Sequence, residues 1–114
     1  MFDPGDIIHL DFDPAAGHEM KGPHFGLVIS VKPFNKSGLA VICPITQGHQ
    51  EYARASGLAV SLMGSGTEIQ GVILCHMAKT LDLKARRARK KEKVPTEILN
   101  DVLDRYLSIL ALDD

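Results

Sequence analysis

The chain has no tryptophan, and its four phenylalanines and two tyrosines bring aromatics to only 5% of the sequence. Any stacking on a flat ligand would therefore rest on Phe or Tyr, or on neither. Its two cysteines, Cys43 and Cys75, each sit in an apolar run and lack metal-ligand spacing. Small buried thiols are the expectation, rather than a disulfide or a metal site. No apolar run approaches the ~18 residues of a membrane span, and no charged start leads into a short apolar stretch. A cytoplasmic protein without a membrane partner is the default that follows. Missing as well are a glycine-rich phosphate loop before a helix, an HExxH helix and a GxSxG elbow. The loops hold no acidic cluster suited to Mg²⁺, so neither a metal nor a cofactor is expected. The formal net charge of −1 says nothing about partners.

What is present is a pattern of short strands. A length of 114 residues leaves room for one compact domain, 1–114, with a modest core. Residues 6–13 alternate, with Ile8, Leu10 and Phe12 on one face and His9, Asp11 and Asp13 on the other, as in a half-buried strand. Apolar, β-branched runs predict further strands over 25–31, 39–45 and 58–62. A fifth is expected over 67–75, where Gly71 marks a bulge or bend, and a short one over 79–83. Polar, Gly- and Pro-rich stretches over 14–24 and 47–57 read as loops. From Ile98 the period changes to helical: Ile98, Leu99, Val102, Leu103, Tyr106, Leu107 and Leu110 recur on one face, with Pro95 in the first turn. Five or six short strands with a late amphipathic helix predict a small, strongly curved antiparallel barrel.

Two of the loops follow strands and collect polar residues of chemical use. One, GHEMKGPH, carries His18, Glu19, Lys21 and His24; the other, PITQGHQ, carries Thr46, Gln47, Gly48 and His49. Each histidine alone is more often a solvated or hydrogen-bonded residue than a catalyst. Several concentrated in two scaffold-borne loops point to a site. RNA cleavage is one chemistry they could support. The ribose 2′-hydroxyl needs a base and the leaving 5′-oxygen an acid, and histidine serves as either near neutral pH. Hydroxyl and amide donors steady the phosphoryl oxygens. From Lys84 to Lys93 the chain reads KARRARKKEK, with Glu92 its only acid. Such a stripe either attracts phosphate or an acidic partner, or is merely a solvated flank.

These residues carry a family resemblance. The segments GDIIHLDFDPAAGHE, LVISVKPFN, CPITQG, YARASGLAVSL, GVILC, TLDLKAR and VPTEILNDVLDRYLSIL resemble the MazF/PemK toxins, the PemK and ChpB branch above all, from about Pro4 to Leu110. The resemblance implies a mainly β fold, an SH3-like small barrel with a C-terminal α-helix, of the type shared with the gyrase poison CcdB. It implies a homodimer that cuts single-stranded RNA at a short sequence without a metal, leaving a 2′,3′-cyclic phosphate and a 5′-hydroxyl. It also implies an antitoxin whose acidic tail folds onto the toxin. His18 and Glu19 match the family's GHE, Thr46 its catalytic threonine, and Gln47 and Gly48 that residue's neighbours. Lys21, Lys79, Arg86 and Arg87 are the expected remaining contacts to RNA.

The chain also departs from the pattern. The family's Arg-Pro at the second strand is His24-Phe25 here. Its later Asp-Gln is His76-Met77, and Leu74 occupies the place of an arginine. Two readings follow. Either the site is rebuilt on His18, His24 and His76, or it has decayed to a binder of RNA or antitoxin, because a neutral histidine lacks arginine's permanent charge and forked donors. A CcdB-like gyrase poison is a more distant rival, since such poisons lack the GHE and PITQ loops.

Overall fold

The computed structural model describes residues 1–48 and 56–111. Among the described residues, seven strands form one antiparallel sheet: β1 (Asp6–Asp11), β2 (Pro23–Val28), β3 (Leu39–Thr46), β4 (Ala59–Ser61), β5 (Val72–Leu74), β6 (Lys79–Asp82) and β7 (Arg89–Lys93). A short α1 (Lys32–Asn35) joins β2 to β3, and α2 (Thr96–Leu110) closes the described chain. The sheet runs β4-β5-β3-β2-β1-β7, with β6 also paired to β3. Among the described residues, no helix is long and apolar enough to cross a membrane.

The sheet curls so that its two faces feed two apolar clusters. Ile8, Leu10, Phe12, Val28, Ala40, Ile42 and Leu81 fill one. Ile7, Leu27, Cys43, Ile45, Ile73 and Cys75 form the other, which α2 covers with Val102, Ile98, Leu99, Leu103 and Tyr106. Each large aliphatic side chain buried this way contributes on the order of 2 kcal/mol. Ile7 and Ile8 are both fully buried, so β1 is apolar on both faces at its start. Both cysteines are free and buried, as their apolar settings imply. Burial pushes both thiols up, Cys75 to about 11.

Hydrogen bonding moved several boundaries. β1 stops at Asp11 rather than residue 13, because the Asp11 carboxylate accepts the Asp13 N–H at 2.9 Å and turns the chain. β2 starts earlier, since its ladder with β1 runs to the Asp11–Pro23 pair, and ends at Val28, before the Ser30–Asn35 turn bonds. Only Val72–Leu74 of the expected strand 67–75 is extended. Upstream of it, the Thr67 hydroxyl donates to the Ile69 carbonyl and so accepts from Ser65, a local network that replaces ladder bonds. The basic stripe contains a seventh strand, β7, which pairs with β1 through a bulge between Ile7 and Ile8. Its side chains are mostly exposed, so no apolar alternation announces it. In α2, Pro95 precedes the helix rather than opening its first turn, and Leu107 and Leu110 are exposed along with the rest of the last turn.

Candidate active site

The site forms where β3 changes partner. β3 pairs with β6 through Ile42 and with β5 from Ile45. Pro44, which has no N–H to give, falls between the two ladders. Opposite that break the chain makes a single 3₁₀ turn, Cys75–Met77, on its way from β5 to β6. Cys75 is anchored in the core and Met77 packs beside Val72 and Leu74, which leaves His76 facing outward. The β1–β2 connection folds over the same region, with Met20 packed against both Leu74 and the interior cluster. His24, the second residue of β2, and Thr46, the last of β3, complete the walls.

These elements enclose a cleft of about 670 Å³ lined by His18, Glu19, Lys21, His24, Thr46 and His76, with Leu74 and Met77 as its apolar floor. The four residues expected to carry chemistry therefore share one recess. Lys79 adjoins it in a recess of about 280 Å³ that also meets His18, Glu19, Pro44 and His76. Glu19 accepts the Ala16 N–H at 2.9 Å and pairs with Lys79 at 3.2 Å. The Ala16 bond first, and then the Lys79 ammonium, hold its carboxyl below the usual carboxylate range. Thr46 Oγ1 accepts the Gly48 N–H at 3.1 Å, so its own proton is available to donate outward. Gln47 lies beyond Thr46 and donates to the Gln70 carbonyl at 3.4 Å. His49 and most of the 47–57 loop lie outside the described residues.

Arg86 and Arg87 are placed elsewhere. They line a separate recess of about 200 Å³ with His9, Asp11, Pro23 and Arg89. The Arg86 guanidinium donates to the Asp13 carbonyl, and the Arg86 carbonyl accepts the Asp11 N–H at 2.9 Å. Pro23 lines this recess, while its neighbour on β2, His24, lines the cleft; the two recesses share no lining residue.

Leu74, where the resemblance would put an arginine, is buried on the cleft floor, so no guanidinium enters from that strand. The sequence reading marked Gly71 only as a bulge or bend, and it missed Met20 and Gln70. Gly71 has φ +134°, and a Cβ there would come 2.7 Å from the Thr46 carbonyl oxygen. The lone glycine in an apolar run was the available signal. Among the described residues, no group of three or more His, Cys, Asp or Glu could hold a metal ion.

A small curved antiparallel barrel backed by a C-terminal helix, with polar loops gathered over one strand break, is the class of molecule that fold and site define together. The profile of the PemK-like, MazF-like toxins of type II toxin–antitoxin systems matches residues 3–110, and the chain belongs to that family. It is 41% identical over 108 residues to the endoribonuclease PemK of Escherichia coli, a match covering 94% of this chain and 80% of that protein. Its fold superposes on MazF from Deinococcus radiodurans with a TM-score of 0.87 at 31% identity, covering 97% of each chain. A MazE–MazF structure from the same organism matches with a TM-score of 0.81 at 31% identity, over 98% of this chain and 97% of that one.

Proposed function

We propose that this chain is the toxin of a type II toxin–antitoxin pair and an endoribonuclease that cuts single-stranded RNA in the cytoplasm without a metal ion. One observation carries the reading: three imidazoles, on the β1–β2 connection, on β2 and on the 3₁₀ turn, line the same cleft as Thr46. In the reaction, a neutral imidazole takes the proton of the ribose 2′-hydroxyl. The 2′-oxygen bonds to phosphorus as the bond to the 5′-oxygen breaks, and an imidazolium gives that oxygen its proton. The products are a 2′,3′-cyclic phosphate and a 5′-hydroxyl. The base and acid come from His18, His24 and His76. The Thr46 hydroxyl donates to a phosphoryl oxygen, and the Lys21 ammonium supplies a fixed positive charge.

The partners follow from the family. The MazE–MazF structures contain an antitoxin with its toxin, and we assign this chain an antitoxin partner with an acidic tail, suited to the basic run 84–93. A homodimer is the proposed working form. A second reading, a toxin that binds RNA or antitoxin and cuts poorly, is favoured by His24 and Leu74 standing where the family has arginines.

The test is incubation of the purified chain with a long single-stranded RNA in EDTA across pH, with the cut ends sequenced. Discrete cuts bearing 5′-hydroxyls and a bell-shaped pH–rate curve are expected, with losses of roughly 10²–10⁴-fold in His24→Ala and His76→Ala. Unchanged cleavage in both variants would remove these histidines from the chemistry. RNA binding with no cutting at any pH would establish the second reading.

A further inference from the structure

Glu92, the lone acid of the basic run, has no part in the chemistry above. It sits on β7, partly buried, and both its carboxylate oxygens are engaged by successive backbone amides of the turn between β4 and β5. The Glu68 N–H donates to Oε1 at 3.1 Å and the Ile69 N–H to Oε2 at 2.8 Å. β4 and β7 are the two ends of the strand order, and among the described residues no ladder joins β7 to β4 or β5. A charge-assisted pair of bonds from one side chain thus bridges the two edges of the sheet.

The turn held in this way leads directly into the site. Gln70 Nε2 donates to the Thr67 carbonyl and Thr67 Oγ1 to the Ile69 carbonyl, each at 2.7 Å, so residues 67–70 are tied to one another. The Gln70 carbonyl accepts from Gln47, and Gly71 packs against the Thr46 carbonyl. Together Thr46, Gln47, Gln70 and Gly71 wall a recess of about 320 Å³ on the far side of Thr46 from the histidines.

We infer that Glu92 is a positioning residue for the Thr46 side of the active site: it touches no substrate and acts by holding residues 68–71 against the end of β3. The inference rests on the RNA-cleavage reading. Charge alone makes the opposite forecast. An acid within a basic strand repels phosphates, so removing it would tighten RNA binding if electrostatics were its only effect. Loss of positioning weakens binding instead, against that electrostatic trend.

The experiment compares the full chain with Glu92→Gln and Glu92→Ala, working well below each variant's melting temperature. Hydrogen exchange over 62–71 reads the latch. Fluorescence anisotropy with the same single-stranded RNA in EDTA reads Kd, and single-turnover rates across pH read the chemistry. Glu92→Gln keeps the shape and guards against a failure of Glu92→Ala to fold. The expected result is lost protection over 62–71, a Kd raised roughly tenfold, about what one charge-assisted hydrogen bond supports, and an unmoved pH optimum, since the histidines are untouched. Retained protection would overturn the latch. Lost protection with Kd unchanged or tightened would overturn the positioning role alone. A wild-type chain that neither binds nor cuts RNA would overturn the proposed function and this role with it, whatever the exchange data show.

Discussion

Glu19 holds its carboxylate between the Ala16 amide and the Lys79 ammonium, and both favour the ionised form. A carboxyl whose folded pKa lies below its unfolded one contributes stability above the unfolded value and loses it as pH falls through the folded value. The contribution concerns the exposed loop that carries His18, so it is read locally. The Ala16 amide should stay protected at pH 5 and lose protection as Glu19 protonates at lower pH. Glu19→Gln should remove that pH step; a step that persists in the variant would locate its cause elsewhere. His18 shares the loop, so Glu19→Gln should also slow cleavage at neutral pH by a few-fold, measured on the same RNA. At the residue scale the sequence was informative. His18, Glu19, Lys21, His24 and Thr46 were picked out from residue types and loop positions and His76 through the family resemblance, and the fold gathers them. Glu92 was legible only as an interruption in a basic run, because its role consists of two backbone amides 23 and 24 residues away.

Among the elements, the paired strands β2 and β3 are held closest where glycine permits it. An ideal Cβ on Gly26 would lie 2.4 Å from Ile42 Cγ2 and 3.3 Å from Phe12 Cζ. Gly26→Ala should therefore overpack the interior cluster and cost about 1–3 kcal/mol. A lower urea midpoint with an unchanged slope is the expected observation. An unchanged midpoint would show that Ile42 has room to move. The periodicity of β1 and α2 was readable because each buries a recurring face, and β3 was readable as an apolar run, buried on both faces from Ile42 to Ile45. β7 was not, since Arg89, Lys90 and Lys91 are exposed and its partner β1 supplies the apolar side. The expected strand 67–75 shrank to three residues for a related reason: hydroxyl and amide side chains at 65, 67 and 70 satisfy the backbone locally.

Over the whole molecule, the charges fall into two recesses lined by the successive β2 residues Pro23 and His24. The histidine cleft lies on one side, and the pocket bearing Arg86, Arg87 and Arg89 on the other. An RNA that leaves the cleft and bends around Pro23 would reach those guanidinium groups. Arg87→Ala should then weaken binding alike for unrelated RNA sequences and lower the steepness of log K against log salt by about 0.7, one phosphate contact on a single strand. Identical slopes for the variant and the parent chain would take Arg87 off the RNA path. Arg86, whose guanidinium already donates to the Asp13 carbonyl, should cost stability as well as affinity when replaced by alanine, seen as a lower melting temperature.

Fold class, family and the residue types of the site were all legible in the order of the amino acids. Those depend on local periodicity and on short motifs, which are written in consecutive residues. Tertiary structure alone decided that His18, His24, Thr46 and His76 share a cleft and that Arg86 and Arg87 do not join it. It also set His76 on a 3₁₀ turn opposite Pro44, and let Glu92 tie β7 to the turn beside Thr46. These facts depend on where β3 exchanges one partner strand for another and on how the sheet's edges approach. Both are set by long-range pairing and packing, which leave little trace in the residues on either side.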